Sequence, residues 1–407
     1  MKHPIYDVVV VGGGPAGATA AYELASGGVN VLLLDKAGRI KPCGGAVPPQ
    51  LLRDFDVPEH VLEAKVSSAR MVSPTLREVD MPIETGFVGM VDRSTFDEWL
   101  RARAEQAGAT RINGSFSELG GSSGGYIELA YRPGKKQSLS RSAEPPSLTT
   151  VRTRYVIGAD GANSAVAKQA LGDAAKLKSV FAYHEIIETP KTLANDAKVR
   201  CDVIYDGSLS PDFYSWVFPH GNTISVGTGT AVQGYGIRGS ITELRRRTGL
   251  DSARTIRKEG APIPLKPLKR WDDGKHVLLA GDAAGVVAPA SGEGIFYAMT
   301  CGRIAAKVMQ EVLRTDNVKT LKQARKQFLR AHGKVFMVLG AMQYFWYSSD
   351  KRRERFVTMC DDADVQRLTW ESYLNKRLVK RDYFSHVKIF FKDLAHLLGI
   401  TAVNGRR

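Results

Sequence analysis

Three carboxylates sit where short apolar runs end and glycines begin. Asp35 closes VNVLLLD (29–35), Asp160 lies in GADGANS (158–164), and Asp282 lies in GDAAG (281–285). A carboxylate at the end of a buried strand can accept hydrogen bonds from sugar hydroxyls, and a neighbouring glycine lets phosphate approach bare backbone. Cys43 lies in the irregular loop KPCGGAVP (41–48), and Tyr214, Trp216, Phe218 and Pro219 lie in YSWVFP (214–219). Their plain readings are Cys43 as a small packed residue, and Tyr214 and Trp216 as core aromatics of a sheet.

The first carboxylate has the fullest setting. Val8 to Val11 is an uninterrupted β-branched run, too short for a helix, and reads as a strand buried on both faces. Gly12, Gly14 and Gly17 follow at once with the spacing G-x-G-x-x-G, a helical pattern runs from Pro15 to Ser26, and a second apolar run, Val29 to Leu34, leads to Asp35. Gly12 permits the tight turn, Gly14 removes a Cβ that would block a pyrophosphate, and Gly17 lets helix and strand pack closely. The helix start adds N–H groups and the positive end of a dipole. The predicted chemistry is dinucleotide binding, with Asp35 on the ribose of an adenosine.

The third carboxylate repeats the arrangement. An apolar strand over 276–280 leads to Asp282, and Pro289, Gly292 and Gly294 precede a helix. Asp282 suits a ribityl hydroxyl, and the N–H groups of 292–295 suit the electron-rich O2 edge of a reduced isoalloxazine. An ordinary βα turn capped by Asp282 is the alternative.

With 407 residues, 43% hydrophobic and 24% charged, the composition is globular, and two or three domains are expected at roughly 150 residues each. Cys43, Cys201, Cys301 and Cys360 are far apart, which suggests neither a disulfide framework nor a zinc site and fits a reducing compartment. The first strand begins by residue 6, so no signal or transit peptide is expected, and the apolar stretch within 335–350 is too short to span a bilayer. The net charge of +15 comes without a nucleic-acid motif; it suits a solvated surface, phosphate-bearing ligands or an anionic membrane.

Elsewhere the pattern predicts a helix over 51–65, a strand over 69–79, and a helix with Ser94 as N-cap and Phe96, Leu100 and Ala104 on one face. Residues 111–158 alternate and read as a β-meander, with the polar stretch 132–150 at a hairpin tip. Residues 180–231 alternate at period two and read as an antiparallel sheet. A connector is expected to about 275, then helices over 293–314, 318–348, 361–380 and 383–399. No second nucleotide-binding βαβ unit is visible, and His184 and His220 read as structural or exposed.

G-x-G-x-x-G with a terminal acid, then GADGxxS, then GDAA resembles the FAD enzymes with the p-hydroxybenzoate hydroxylase fold. Within that group the chain resembles the geranylgeranyl reductases. The matching pieces are KPCGGAVP (41–48), GMVDRSTFDEWLRARA (89–104), YDGSLSPDFYSWVFPHG (205–221), GDAAGVVAPASGEGI (281–295) and DVQRLTWESYLNK (364–376), so the resemblance covers almost the whole chain. The last piece and the helical tail resemble the branch that acts in chlorophyll and bacteriochlorophyll synthesis, and MPIETGFVGMVDR (81–93) resembles its bacterial side. The implied fold class is α/β: a Rossmann-like FAD-binding domain (1–175 and 265–315), an antiparallel β-sheet substrate domain (176–264) and a helical C-terminal region (316–407).

The resemblance implies reduction of three isolated double bonds of a geranylgeranyl group to phytyl by FAD recharged by NADPH. The group would be carried as geranylgeranyl-(bacterio)chlorophyll or as the diphosphate. It implies FAD contacts from Gly12, Gly14, Pro15, Ala16, Gly17, Asp35, Lys36, Cys43, Gly44, Gly45, Arg93, Asp160, Gly161, Gly281, Asp282, Pro289, Gly292, Gly294 and Ile295. Tyr214, Trp216, Phe218 and Pro219 would line a prenyl tunnel, and Cys43, Tyr214 or an ordered water would donate the proton. An FAD monooxygenase or halogenase of the same fold, and a non-catalytic prenyl-lipid escort, are the competing readings. In the tail, Val387, Phe390, Phe391, Leu394, Leu397 and Leu398 recur at helical spacing beside Lys388 and Lys392. A cytoplasmic enzyme with peripheral contact to an anionic membrane is expected, with no transmembrane span; packing of that helix on 335–347 is the plainer expectation.

Overall fold

The computed structural model describes residues 3–36, 40–134, 147–191 and 200–376. The chain opens with β1 (Ile5–Val11), α1 (Pro15–Ser26), β2 (Val31–Asp35), β3 (Ala46–Val47), α2 (Pro49–Asp54) and β4 (Ala64–Val66). Next come β5 (Ser68–Val72), β6 (Glu78–Pro82), β7 (Val88–Met90), α3 (Arg93–Gln106), β8 (Thr110–Ser123), β9 (Tyr126–Pro133), β10 (Thr149–Gly158) and α4 (Ala165–Leu171). Then follow β11 (Ser179–Glu188), β12 (Cys201–Ile204), β13 (Ser215–His220), β14 (Thr223–Thr230), α5 (Ile237–Arg247), β15 (Thr255–Pro264) and β16 (Val277–Leu279). The last described elements are α6 (Ile295–Thr315), α7 (Gln323–Trp346), α8 (Asp350–Met359) and α9 (Ala363–Asn375).

Two compact units result. The first comprises Met1–Cys43, Asp92–Ala182 and Gly260–Ala341; the second comprises Gly44–Val91, Tyr183–Glu259 and Met342–Arg407. In the first, β1 pairs in parallel with β2 and β10, β2 with β8, and β10 with β16. β9 joins β8 and β10 antiparallel, so the meander is part of this sheet. Val8, Val9, Val10, Leu32, Leu33, Val156 and Leu278 are buried completely or nearly so, as parallel strands covered on both faces require. Each such side chain contributes roughly 1.5–3 kcal/mol before ordering costs. α1 and α6 pack closely, because a Cβ on Gly302 would meet the Ala16 carbonyl oxygen at 2.2 Å.

In the second unit β13 pairs antiparallel with β12 and β14, and β5 with β6. The expected antiparallel sheet is mixed, however: β12 runs parallel to β5, with Cys201 opposite Ala69. Residues 44–91, placed by the sequence with the nucleotide-binding domain, therefore belong to the second unit through this pairing. Likewise 316–341 belong to the first unit and the described residues after 342 to the second.

Several local expectations change. The helix expected over 51–65 is only α2, because Pro58 disfavours helical backbone at Val57; a 3-10 turn, Glu59–Val61, and β4 follow. The strand expected over 69–79 is the hairpin β5–β6, turned where Ser73 N donates to Arg77 O at 2.9 Å. Asp92, not Ser94, caps α3, its Oδ1 accepting from Ser94 N at 2.7 Å. The expected connector before 275 contains α5 and β15. α5 was hidden because its apolar face is thin, Ile237, Ile241 and Leu244 among arginines. The helix expected over 318–348 begins as a 3-10 turn, Val318–Lys322, and the one over 361–380 is α9, with α8 before it. The expected tail helix lies outside the described residues. Among the described residues no helix is long and apolar enough to cross a membrane.

Candidate active site

In the first unit, β1 delivers the chain into the glycine loop. Gly12 has φ +102°, and a Cβ there would meet the Ala159 carbonyl oxygen at 2.4 Å. A Cβ on Gly17 would lie 1.8 Å from the Gly12 oxygen. Gly14 differs: the nearest atom to its Cβ position is Arg93 Nη2, 4.0 Å away. Its backbone therefore borders an open space faced by a guanidinium, with Pro15 and Ala16 starting α1 behind it. This cradle fits a pyrophosphate, because bare backbone, a helix start and a cation converge there.

Asp35 leaves the end of β2 and accepts from Gly13 N at 2.8 Å; Arg101 Nη1 lies 3.5 Å from its other oxygen. The carboxylate thus holds the glycine loop and retains lone pairs for ribose hydroxyls. Lys36 is exposed beside it. Asp160 binds its own chain. Its carboxylate takes the Ser164 hydroxyl and the N–H groups of Ala165 (2.7 Å) and Val166 (3.2 Å) at the start of α4. Burial raises its pKa above the ordinary carboxylate range, against those hydrogen bonds. Its Cα, not its side chain, backs Gly12, and Gly161 turns the chain away at φ +87°.

Asp282, 7% exposed, is ion-paired to Lys41. Gly281, at φ +63°, would carry a Cβ only 2.6 Å from Ala16 Cβ, so the Asp282 turn is seated against the start of α1. In the loop before α6, Gly292 N donates to Ala288 O at 3.0 Å and Ala288 N to Glu293 O at 2.9 Å; Pro289 is buried between them. Of the four N–H groups expected to face a flavin, that of Gly292 is therefore committed within the loop. Those of Gly294 and Ile295, at the N-terminus of α6, have no acceptor among the described residues.

Arg93 is the node of this unit. It is 6% exposed and makes a two-pronged pair with Asp97, both contacts 2.7 Å. Burial opposes its charge, but Asp97 more than restores it and holds the pKa above the ordinary arginine value. The Cys43 side chain lies close enough to this guanidinium to add to that effect. Cys43 is half-buried, whereas Cys201, Cys301 and Cys360 are fully buried. Burial pushes the Cys301 and Cys360 thiols up to about 12, which leaves them inert.

The second unit holds the aromatic residues. Along β13 and the residue before it, Tyr214, Trp216 and Phe218 share one face, ring centroids 6.0 and 6.3 Å apart. Phe218 packs on a cluster with Met90, Cys201 and Leu374, joined by Trp370 and Tyr373 of α9. Pro219 has the opposite parity, with Val217, which packs on the separate core of Ile204, Ile224 and Val226. The alternation therefore divides the expected wall: Pro219 does not stand with the three aromatics.

Gly44 and Gly45 lie across this strand. A Cβ on Gly44 would approach Phe218 Cδ2 at 2.9 Å, one on Gly45 would meet His220 Cε1 at 2.4 Å, and His220 Nε2 bonds to Gly44 O at 3.1 Å. Both glycines thus serve the second unit, backed by Phe218 and His220.

Four residues escaped sequence reasoning. Lys41 stands in KPCGGAVP but pairs with a residue 241 positions away. Arg101, Ser225 and Glu259 carry no motif, whereas His184, expected to be structural or exposed, is buried. His184 Nδ1 lies 2.9 Å from Ser225 Oγ and its Nε2 2.7 Å from Glu259 Oε2.

A family profile described as an FAD binding domain matches residues 5–178. A solved structure from Thermoplasma acidophilum, described as geranylgeranyl bacteriochlorophyll reductase-like, superposes with TM-score 0.78 at 21% identity, covering 94% of this chain and 99% of that one. Fold and glycine cradle together define an FAD-binding flavoprotein. A geranylgeranyl diphosphate reductase of Rhodobacter capsulatus is 55% identical over 97% of this chain and 98% of its own. The chloroplastic geranylgeranyl diphosphate reductase of Oryza sativa is 36% identical over 97% of this chain and 87% of its own. The chain belongs to the geranylgeranyl diphosphate reductase family.

Proposed function

We propose that the protein reduces the isolated double bonds of a geranylgeranyl group, carried as the diphosphate or as a (bacterio)chlorophyll ester, through three steps to phytyl. The 55% identity with the R. capsulatus reductase, nearly end to end, carries the reaction. Bound FAD supplies a hydride equivalent to carbon, and NADPH restores it, so each double bond consumes one NADPH and one proton. Gly14, Arg93 and the start of α1 hold the pyrophosphate, Asp35 the adenosine ribose and Asp282 the ribityl chain, once Lys41 yields its place. The N–H groups of Gly294 and Ile295 would be free to receive the flavin ring.

An isolated alkene accepts hydride poorly, so a proton must arrive as charge develops on carbon. Cys43, beside the Arg93 guanidinium, is the first candidate, and Tyr214 is the second. Tyr214, Trp216 and Phe218 give the prenyl chain an apolar wall, which favours burial of its methylenes at about 0.8 kcal/mol each. The test is anaerobic incubation with NADPH, or with NADH, and each geranylgeranyl substrate. Stepwise mass gains of two hydrogens support the reading. Product that forms only with oxygen, or carries oxygen or halogen, would point to a monooxygenase or halogenase instead.

The substrates carry long apolar tails, and we place the enzyme on the cytoplasmic face of a membrane through residues 383–400, which lie outside the described structure. Six apolar side chains at roughly 1.5–3 kcal/mol each, with about 1 kcal/mol per nearby Lys or Arg, suffice for reversible attachment. Flotation with anionic liposomes, comparing the full chain with one ending at Asp382, tests it: equal flotation of both removes the tail from the role.

A further inference from the structure

Apart from the dinucleotide cradle, the first unit contains a cavity of about 560 Å3 between residues 269–274 and the beginning of α7. Five cations line it: Lys269, Arg270, Lys322, Arg325 and Lys326. Asp272 is the one carboxylate in the lining. Helical spacing puts Lys322, Lys326 and Leu329 on one stripe, with Arg325 beside it. Both guanidinium groups are held in place rather than trailing in solvent. Arg325 Nε donates to Leu268 O at 2.9 Å, and Arg270 Nε donates to Asp272 O at 2.9 Å. Among the described residues none of the five cations makes an ion pair, although five like charges around one cavity repel one another.

The lining has a second peculiarity. Trp271, 1% exposed, has an indole N–H without a hydrogen-bond partner among the described residues. A buried orphan donor costs about 1–3 kcal/mol. Asp272 offsets part of this charge, through Arg270 and Lys322, and leaves a positive excess; that excess and the unsatisfied donor share one remedy, an anionic acceptor. The volume is that of a small-molecule site, larger than a lone phosphate needs.

We propose that this cavity binds a phosphate-bearing small molecule of about mononucleotide size. The pinned guanidinium groups suit two-pronged contact with phosphate oxygens, and the lysines supply point charges around them. Two sources share that chemistry: a phosphorylated nucleotide such as the reductant, and the headgroup of an anionic phospholipid. The proposal does not depend on the reductase reading, because its readout is binding.

Calorimetry on the FAD-saturated full chain tests it, with adenosine 2′,5′-bisphosphate as the nucleotide probe and phosphatidylglycerol vesicles as the lipid probe. The variant Lys322→Gln/Lys326→Gln changes two exposed side chains, so FAD content and melting temperature are expected to stay at wild-type values. The expected result is a Kd raised tenfold or more for one probe, and the probe that responds identifies the source. Trp271→Phe keeps the ring and removes the donor; it is expected to weaken the same probe severalfold. The proposal is overturned if the wild-type protein binds neither probe, or if the double variant binds both as tightly as the wild type.

Discussion

The Trp216 indole donates its N–H to the Ser225 hydroxyl at 3.0 Å, from β13 to the adjacent β14. Ser225 in turn meets His184 Nδ1, and His184 Nε2 meets Glu259, all within one buried line. The Ser225 oxygen accepts from Trp216 and also meets His184 Nδ1, while the Glu259 carboxylate accepts from Nε2 when that nitrogen is protonated. The plane of the Trp216 ring is thereby set by a polar chain, not by apolar packing alone. Ser225→Ala is expected to cost about 1–3 kcal/mol by orphaning the indole N–H, measured by urea unfolding. FAD content should not change. Unaltered stability would mean that the chain does not hold the ring.

The glycine loop makes opposite predictions at two positions. A Cβ on Gly14 meets nothing closer than 4.0 Å, so Gly14→Ala should fold normally yet bind FAD weakly, because the methyl occupies the phosphate space. Gly17→Ala places its Cβ 1.8 Å from the Gly12 oxygen and should lose both folding yield and flavin. Absorbance near ~450 nm per protein, with a thermal melt, separates the two effects.

Asp282→Ala should lose FAD. The variant removes the carboxylate proposed to hold the ribityl chain and leaves Lys41 without its partner. Full flavin occupancy in the purified variant would remove Asp282 from the site. Lys41→Met is expected to keep FAD or to bind it more tightly, since Lys41 competes for the same carboxylate.

Arg93→Ala leaves the Asp97 carboxylate buried without its partner and should destabilise the protein by about 3–5 kcal/mol. The double variant Arg93→Met/Asp97→Leu should recover most of that stability while FAD affinity stays low. Recovery of both would show that Arg93 serves the fold alone.

Cys43→Ser should retain FAD but slow product formation, or stop it before the third reduction. Single-turnover reduction of geranylgeranyl diphosphate, followed by mass, measures this. Wild-type rates through every step would reduce Cys43 to packing.

Much was legible in the chain because it is written locally. A β-branched run, three glycines and a terminal acid specify strand, turn, helix and strand over some thirty residues, and each piece requires only its neighbours. Asp35 and Asp282, at strand ends beside glycines, were visible as candidate hydroxyl acceptors for the same reason. Asp160 was equally visible, yet its carboxylate caps α4, because a helix start lies within reach and neither composition nor spacing says which donor it takes. Pro58 ended the helix expected over 51–65 far short, at Asp54, and the Asp92 cap moved the start of α3 by two residues, where competing local signals overlap. Tertiary structure decided what spans the chain: Lys41 on Asp282, Arg93 at Cys43, β5 beside β12 and the Glu259–His184–Ser225–Trp216 line. Such contacts join residues of ordinary type at large separation, and they form only when apolar faces that carry no address bury one another.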